Sequence, residues 1–342
     1  MKSTLRKFGW LACVGLSFWA TVPAFGIDLF VNNRVGNDRY AGTSPTLDAG
    51  LDGPFRTLDG AWQQVKPGDR IILMPTDSPY RVDAVLSGVR VQGRPNFPII
   101  LEGNGVELVG TIPIAPEDWR YFRRGAYVLE GPFQGQRPIM IGGRPAQKVE
   151  SSPWGNLPEL SPGQYLYWRG TTVFQADPMK SISDYPLEQN QLRFGLLLER
   201  VSHITVRNLR VRGYSHDGVQ VRGPAKGIVF ERCLFADNGR AGVSLYNNAE
   251  VQFTGCFIEG NVRAGVLNDN FSQLKLESTA VQATPTDVVT DDTSRLTITG
   301  TAPPPLDNGP FVYPAPRPGQ SEPNAPAEGQ PAKENPGFFD PN

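Results

Sequence analysis

A histidine and an aspartate stand side by side at His216 and Asp217, just before the short apolar segment GVQV. Two later segments repeat this local pattern, with Arg240 and Arg263 in the place of the histidine. Guanidinium groups bind carboxylates through paired hydrogen bonds, and a histidine of ordinary pKa can act as a general base near neutral pH. The set therefore predicts a site for a carboxylated sugar, in which His216 removes a ring proton and the arginines neutralise the carboxylate.

Several roles stay open for the acidic residues near this site. Asp217 can orient His216 or ligate calcium, whereas Asp237 is expected to contact the substrate. Hydrolysis is the alternative reaction, and its pair of carboxylates would come from Asp217, Asp237 and Asp287. In a purely structural interpretation, Asp217, Asp237 and Glu259 balance the arginines at solvated turns. Exposed arginines of this kind are expected to contribute little to stability.

These residues belong to an internal repeat whose copies begin 24, 23, 23 and 22 residues apart. The copies are ITVRNLRV (204–211), IVFERCLF (228–235), VQFTGCFI (251–258), LKLESTAV (274–281) and LTITG (296–300). A second short strand follows each full copy: GVQV (218–221), GVSL (242–245), GVLN (265–268) and VVTD (288–291). Strands in units too short to include a helix predict an all-β fold, a single-stranded right-handed parallel β-helix with one coil per repeat.

Residues at equal places in successive coils are expected to stack about 4.8 Å apart. The predicted interior columns are Val206, Phe230, Phe253 and Leu276, and Leu209, Cys233, Cys256 and Thr279. The predicted surface column is His216, Arg240, Arg263 and Thr286, and Asn238 is expected to stack on Asn261. Because stacked side chains point the same way, Cys233 and Cys256 are predicted to be free thiols.

The sequence of the remaining segments predicts a capping helix and an insert. The segment 57–66 has an amphipathic pattern and predicts a short helix that covers the open N-terminal end of the β-helix. Residues 113–196 break the coil rhythm and predict a β-rich insert. Within it, Tyr165, Tyr167 and Trp168 are candidates to stack on sugar rings, and burial in the insert core is the alternative.

The coil pattern resembles the right-handed β-helix proteins of the pectate-lyase-like superfamily. The segments LFVNNRVGNDRYAGTS (29–44), GPFRTLDGAWQQVKPGDRIIL (53–73) and PIILEGNG (98–105) are similar to the opening of extracellular carbohydrate-active members. The resemblance implies a protein that acts on or binds acidic polysaccharide, as a polysaccharide lyase sooner than a glycoside hydrolase. A non-catalytic glycan-binding or cell-envelope module is the alternative, because the Asn-Thr-Asp and Gly-His-Gly motifs of polygalacturonase-type hydrolases are absent from the sequence.

The two termini differ in composition from the domain between them. Residues 1–26 have a basic start, an apolar run and a small-residue exit, which predicts an export signal and a periplasmic, cell-surface or secreted location. Residues 301–342 contain twelve prolines and predict a disordered Pro-rich tail. The predicted domain then comprises 27–112 (cap and first strands), 113–196 (insert) and 197–300 (coils).

Charge and hydropathy limit the partners. Removal of the signal takes away three of the 33 basic residues and none of the 34 acidic residues, so the mature chain is acidic and nucleic acid is not an expected partner. No second apolar stretch is long enough to cross a membrane, and we expect a monomer.

Calcium is the one candidate metal. Asp269 and Asp292 lie in turns of neighbouring coils, where oxygen-rich side chains suit this ion. Ordinary turn formation explains the same residues and is the alternative.

Overall fold

The computed structural model describes residues 26–47, 52–88, 91–130, 137–150, 155–282 and 284–301. The predicted export signal, apart from Gly26, and the predicted Pro-rich tail, apart from Thr301, lie outside these residues. In the described part, successive coils supply strands to three sheets in which neighbouring strands run parallel. The predicted fold, a single-stranded right-handed parallel β-helix, is confirmed.

From Ile99 onwards, the strands of the three sheets recur in the order A, B, C along the coils. Sheet A contains Asp28–Val31, Arg70–Leu73, Ile99–Glu102, Ser202–Arg207, Lys226–Glu231, Glu250–Thr254, Gln273–Glu277 and Arg295–Thr299. Sheet B contains Glu107–Val109, Arg210–Arg212, Leu234–Ala236, Phe257–Glu259 and Ala280–Gln282. Sheet C contains Ala84–Ser87, Phe194–Glu199, Asp217–Arg222, Ala241–Tyr246, Ala264–Asn268 and Val288–Thr290.

The predicted capping helix extends over Leu58–Gln64. The hydroxyl of Thr57 accepts a hydrogen bond from the backbone N–H of Gly60 at 3.0 Å, which satisfies one of the free donors at the helix start. Apolar side chains of the helix pack in the main core, against the first strands of sheets A and C. The helix therefore covers the N-terminal end of the β-helix.

The interior columns have the predicted register. Val206, Phe230, Phe253 and Leu276 are paired in successive strands of sheet A. The rings of Phe230 and Phe253 are stacked, with centroids 4.9 Å apart and an interplanar angle of 8°. Cys233 and Cys256 are buried free thiols, and burial raises the pKa of Cys233 well above its usual range.

Four glycines occupy equal places near the N-terminal ends of successive strands of sheet C. They are Gly195, Gly218, Gly242 and Gly265. A Cβ atom on Gly242 would lie 2.6 Å from Cγ2 of Ile258 and 3.0 Å from the carbonyl oxygen of Gly265. The coil leaves no room for a side chain at this place, so the glycine is required by packing.

We therefore expect Gly242→Ala to lower the free energy of unfolding by about 1–3 kcal/mol, because the added methyl group overpacks the core. Urea denaturation followed by circular dichroism would measure the change. In the double variant Gly242→Ala/Ile258→Ala, the smaller neighbour makes room for the methyl group. The double variant should therefore lose less stability than the sum of the losses of the two single variants. Strict additivity would contradict the packing explanation.

The insert forms two small sheets, and in the chain it lies between the strand Glu107–Val109 of sheet B and the strand Phe194–Glu199 of sheet C. One contains Thr111–Pro113, Ile139–Ile141, Arg144–Pro145 and Leu187–Asn190. The other contains Trp119–Arg123, Ala126–Leu129, Gln147–Lys148, Gln164–Trp168 and Thr171–Gln175. Two 3-10 turns, Pro116–Asp118 and Ile182–Asp184, connect strands of the insert. Since Phe194–Glu199 already belongs to sheet C, the coils resume at residue 194, three residues earlier than the sequence predicts.

The helices in the described part of the chain are too short or too polar to traverse a lipid bilayer.

Candidate functional site

Four charged or titratable residues are stacked at the turn that leads from sheet B into sheet C. We call Arg193, His216, Arg240 and Arg263 the arginine column. The backbone N–H of His216 donates to the carbonyl of Arg193 at 3.2 Å, that of Arg240 to His216 at 2.7 Å, and that of Arg263 to Arg240 at 2.9 Å. Each residue thus comes from the next coil, and the column follows the axis of the β-helix.

Arg193 was not among the residues predicted from the repeat. The segment Arg193-Phe194-Gly195 stands in register with His216-Asp217-Gly218, because Phe194 pairs with Asp217. The shared signal is a charged residue two places before a glycine and an apolar strand, and it extends the sequence repeat one coil towards the N-terminus.

The predicted C-terminal member of the column is wrong by one residue. Val266 pairs with Val288, and the backbone N–H of Gly265 donates to the carbonyl of Thr286 at 2.9 Å. This register places Pro285, and not Thr286, opposite Arg263. The displacement arises because the last coil is one residue shorter than the coil before it.

Arg240 has its counter-ion within the chain. Its Nε donates to Oδ1 of Asp217 at 2.8 Å, and its Nη2 pairs with Oδ2 of the same carboxylate. Asp217 is fully buried, and Gln220 Nε2 adds a longer contact of 3.4 Å to Oδ2. The hydrogen bond with Asp217 raises the pKa of Arg240 above its usual value. The prediction that Arg240 is an exposed cation that binds an external anion is therefore wrong, because its charge is balanced by Asp217.

The pair also corrects the roles expected for Asp217. Both of its carboxylate oxygens bond to Arg240, so neither is free to ligate calcium or to act as one of two catalytic carboxylates. Its effect in the site is instead to hold the Arg240 guanidinium against sheet C.

His216 is half-buried beside this pair. Its ring packs edge-on against Phe194, with centroids 5.9 Å apart, and its Nδ1 lies 3.4 Å from the hydroxyl of Ser215. Burial lowers the pKa of His216 below 6.5, and the nearby positive charges of Arg193 and Arg240 lower it further. The imidazole is therefore neutral at pH 7 and has a nitrogen lone pair available to accept a proton.

Two arginines of the column have no side-chain ion pair among the described residues, although the backbone N–H of Arg193 donates to Oδ2 of Asp83 at 3.3 Å. Arg193 and Arg263 are exposed, and neither forms an ion pair with a carboxylate of the described residues. The guanidinium of Arg193 lies 5.1 Å from the centroid of the Phe194 ring. Arg137, which belongs to the insert, adds a further positive charge near His216. Its guanidinium donates a hydrogen bond to the neutral side-chain amide of Gln191. The arrangement can bind an anion next to a neutral base.

Asp237 lies at the other end of the same turn, on the side of sheet B. Burial raises the pKa of its carboxyl group to about 6, Arg212 opposes this shift, and Glu259 adds to it. Its backbone has a left-handed conformation with φ of 55°. The structure places Asp237 at the base of the turn and not in the arginine column.

The three aromatic candidates lie in the insert and differ in exposure. Tyr165 is buried in the core of the insert, which supports the core alternative for this residue. Tyr167 and Trp168 are half-buried. The indole N–H of Trp168 donates to the carbonyl of Gly155 at 2.9 Å, and the guanidinium of Arg169 lies 4.5 Å from the centroid of its ring.

Asp269 and Asp292, the predicted calcium ligands, lie in turns that are held by hydrogen bonds between neighbouring coils. Asp291, next to Asp292, accepts from the backbone N–H of Asn270 at 2.8 Å and from the hydroxyl of Thr293 at 2.9 Å. The hydrogen bond from Asn270 and then that from the side chain of Ser294, with smaller contributions from Thr293, lower the pKa of Asp291 to about 2. No group of three or more His, Cys, Asp or Glu side chains in the described ranges could hold a metal ion. The placement of Asp269 and Asp292 thus does not support a calcium site.

Comparisons with known proteins agree with the architecture. Residues 194–302 match the family described as the right-handed beta helix region. A solved structure described as a glycoside hydrolase is 12% identical and has a TM-score of 0.51, with 80% of each chain covered. No curated protein sequence matches the chain.

Two further solved structures show weaker similarity. A complex of XylC with xylose is 12% identical, with a TM-score of 0.43 and coverage of 80% of this chain and 64% of the other. Pectate lyase Pel9A is 12% identical, with a TM-score of 0.39 and coverage of 76% and 55%. The structure described as a glycoside hydrolase, with its TM-score of 0.51 and 12% identity, shows likeness of fold alone.

Proposed function

We propose that this chain is an exported protein that binds acidic polysaccharide on the arginine column and cleaves it by elimination. The observation that supports this function most directly is the environment of His216. A neutral imidazole lies among the positive charges of Arg193, Arg240 and Arg137. Arg193 is exposed one coil before His216, and Arg263 is exposed two coils after it. An anionic substrate would supply the missing negative charge.

The chemistry follows from these charges. When an arginine pairs with the carboxylate of a uronate, the negative charge that develops on the carboxylate during proton loss is stabilised, so the adjacent ring C5–H becomes more acidic. His216 takes that proton, and the electron pair of the C–H bond forms a double bond between C4 and C5. The bond from C4 to the glycosidic oxygen breaks, and this oxygen leaves as an alcohol after it gains a proton from water.

Hydrolysis is a second candidate because Asp237 has a pKa raised to about 6, as suits a general acid. The similar fold of a protein described as a glycoside hydrolase is consistent with this alternative. Against it, Asp217 is engaged by Arg240 and cannot serve as the second carboxylate.

The test is to incubate the purified protein with several polyuronates and with a neutral polysaccharide as control. Elimination predicts products with ultraviolet absorbance from the new double bond, whereas hydrolysis predicts new reducing ends without that absorbance. Binding of polyuronate without any product would identify a non-catalytic glycan-binding module. Absence of binding to all polyuronates would overturn the proposal.

We expect the double variant Arg193→Ala/Arg263→Ala to weaken polyuronate binding by about 100-fold or more, because two charge-assisted hydrogen-bonding groups are lost. Its melting temperature should stay close to that of the parent protein, because both side chains are exposed. Isothermal titration calorimetry would measure the affinity.

A matched control is Arg39→Ala/Arg56→Ala, which removes two exposed arginines of the N-terminal region and changes the net charge equally. If the control variant weakens binding as much, long-range charge and not the column explains the affinity.

Export itself is tested by N-terminal sequencing of the protein recovered outside the cytoplasm, which should begin at Ile27.

A further inference from the structure

The last coil leaves apolar side chains open to solvent. Leu296 and Ile298 continue the interior columns of Leu274 and Leu276 in sheet A. Leu274 and Leu276 are each 2% exposed, whereas Leu296 is 38% exposed and Ile298 is 63% exposed. Exposure rises because, among the described residues, the strand Arg295–Thr299 is the terminal strand of the sheet and pairs on one side only.

The opposite end of the β-helix is closed. Leu29 and Val31 in the first strand of sheet A are buried in the core together with residues of the capping helix Leu58–Gln64. The C-terminal edge strand, with sequence RLTIT, contains no proline and only one charged residue. An apolar edge with unpaired backbone groups invites pairing with another strand, and natural proteins usually cover such an edge.

We propose that the segment Phe311-Val312-Tyr313 of this same chain covers the open C-terminal end. It is the only run of three large apolar residues in the sequence beyond Thr301. Thr301 lies two residues after the end of the edge strand Arg295–Thr299, so the continuing chain starts near the end that needs a cover.

The length of the connection is sufficient. Nine residues lie between Thr301 and Phe311, and the ten Cα–Cα steps from one to the other span up to about 33 Å when extended. The five-residue edge strand Arg295–Thr299 is only about 17 Å long. A short tether also keeps the apolar segment at a millimolar effective concentration near the open end.

The prolines around this segment explain why it would close the end without extending the sheet. Residues 303–305, 310, 314, 316 and 318 are prolines. Proline has no backbone N–H to donate and is typical of protected sheet edges. A cover of this composition would bury Leu296 and Ile298 and would keep a second strand from pairing with the edge.

The proposal is tested by cross-linking in the full chain. The variant Thr299→Cys/Pro314→Cys places one thiol at the edge and one beside Tyr313, and the matched control Thr299→Cys/Pro336→Cys places the second thiol farther along the chain. Of the three native cysteines, Cys13 lies in the predicted export signal and is replaced by serine in every variant. Cys233 and Cys256 are fully buried and should not compete. Peptide mapping by mass spectrometry after treatment with a short bismaleimide measures the yield within one chain.

Loop length alone favours the first pair by about fourfold. We expect a preference of at least about tenfold, because docking adds to tethering. Phe311→Ser/Tyr313→Ser in the same background should return the preference to about fourfold. A preference that stays at about fourfold, or that the serine variant leaves unchanged, would overturn the proposal. Cross-links between two chains would also overturn it, because they would identify a second copy as the cover.

Discussion

Alanine at position 240 is expected to lower the free energy of unfolding by about 3 kcal/mol, whereas alanine at position 263 should change it by less than about 0.5 kcal/mol. The two arginines occupy the same place in successive coils, but only Arg240 pairs with the fully buried carboxylate of Asp217. Removal of one partner of a buried pair leaves a buried charge uncompensated, which typically costs about 3–5 kcal/mol. The Arg240 side chain is 29% exposed, which places this case at the lower end.

Urea unfolding of the single variants would measure the difference, and Arg263→Ala serves as the control for loss of an arginine from the column. The double variant Asp217→Asn/Arg240→Gln should recover part of the loss, because it leaves no unpaired buried charge. Equal stability of Arg240→Ala and Arg263→Ala would contradict a contribution from the Arg240–Asp217 pair.

Replacement of His216 by alanine is expected to lower the turnover of polyuronate by about 10²–10⁴-fold, because the general base is lost. Affinity should change only a few-fold, since Arg193 and Arg263 remain to bind the carboxylates. The control is His203→Asn, which replaces the second histidine of the sequence. Asparagine suits this position, because His203 has a left-handed backbone with φ of 52°. Retained turnover in His216→Ala would exclude this residue as the base.

The pH dependence of turnover should have a defined sign. The base acts in its neutral form, so turnover should be full above the pKa of His216 and fall as the pH drops through it. Burial and the neighbouring arginines lower that pKa, so the half-maximal point of kcat/KM on the acid side should lie below pH 6.5. Titration of the two histidines by NMR provides an independent measurement, with His203→Asn for assignment. A midpoint above pH 6.5 for His216 would contradict the electrostatic description of the site.

The stability prediction differs from the one that the sequence alone supports. From the repeat, Arg240 and Arg263 are equivalent residues at a solvated turn, and replacement of either should leave stability unchanged. In the structure the side chain of Arg240 turns towards Asp217 of the preceding coil, whereas Arg263 is exposed. Arg263 has an alanine, Ala241, at the corresponding place in the coil before it. Equal places in a repeat thus do not imply equal contacts, because each contact depends on both coils.

The β-helix, the register of its interior columns, the capping helix and the free thiols are all predictable from the amino-acid sequence. A repeat of about 23 residues with alternating apolar positions has few ways to bury its side chains, and parallel pairing of equal places satisfies the backbone at every coil. For the same reason, the stack of Asn238 on Asn261 follows from spacing, and their side chains are joined by a hydrogen bond of 2.9 Å.

Which charged residues remain available for a ligand depends on the packing of side chains in three dimensions. The tertiary structure added Arg193 to the column, paired Asp217 with Arg240 and buried Tyr165 inside the insert. Spacing along the chain specifies which residues are neighbours across coils, but side-chain orientation depends on the packing around them. The burial of Tyr165 depends on the fold of the insert, which has no repeat to predict it, and the availability of a charge depends on whether a partner lies within a few ångströms.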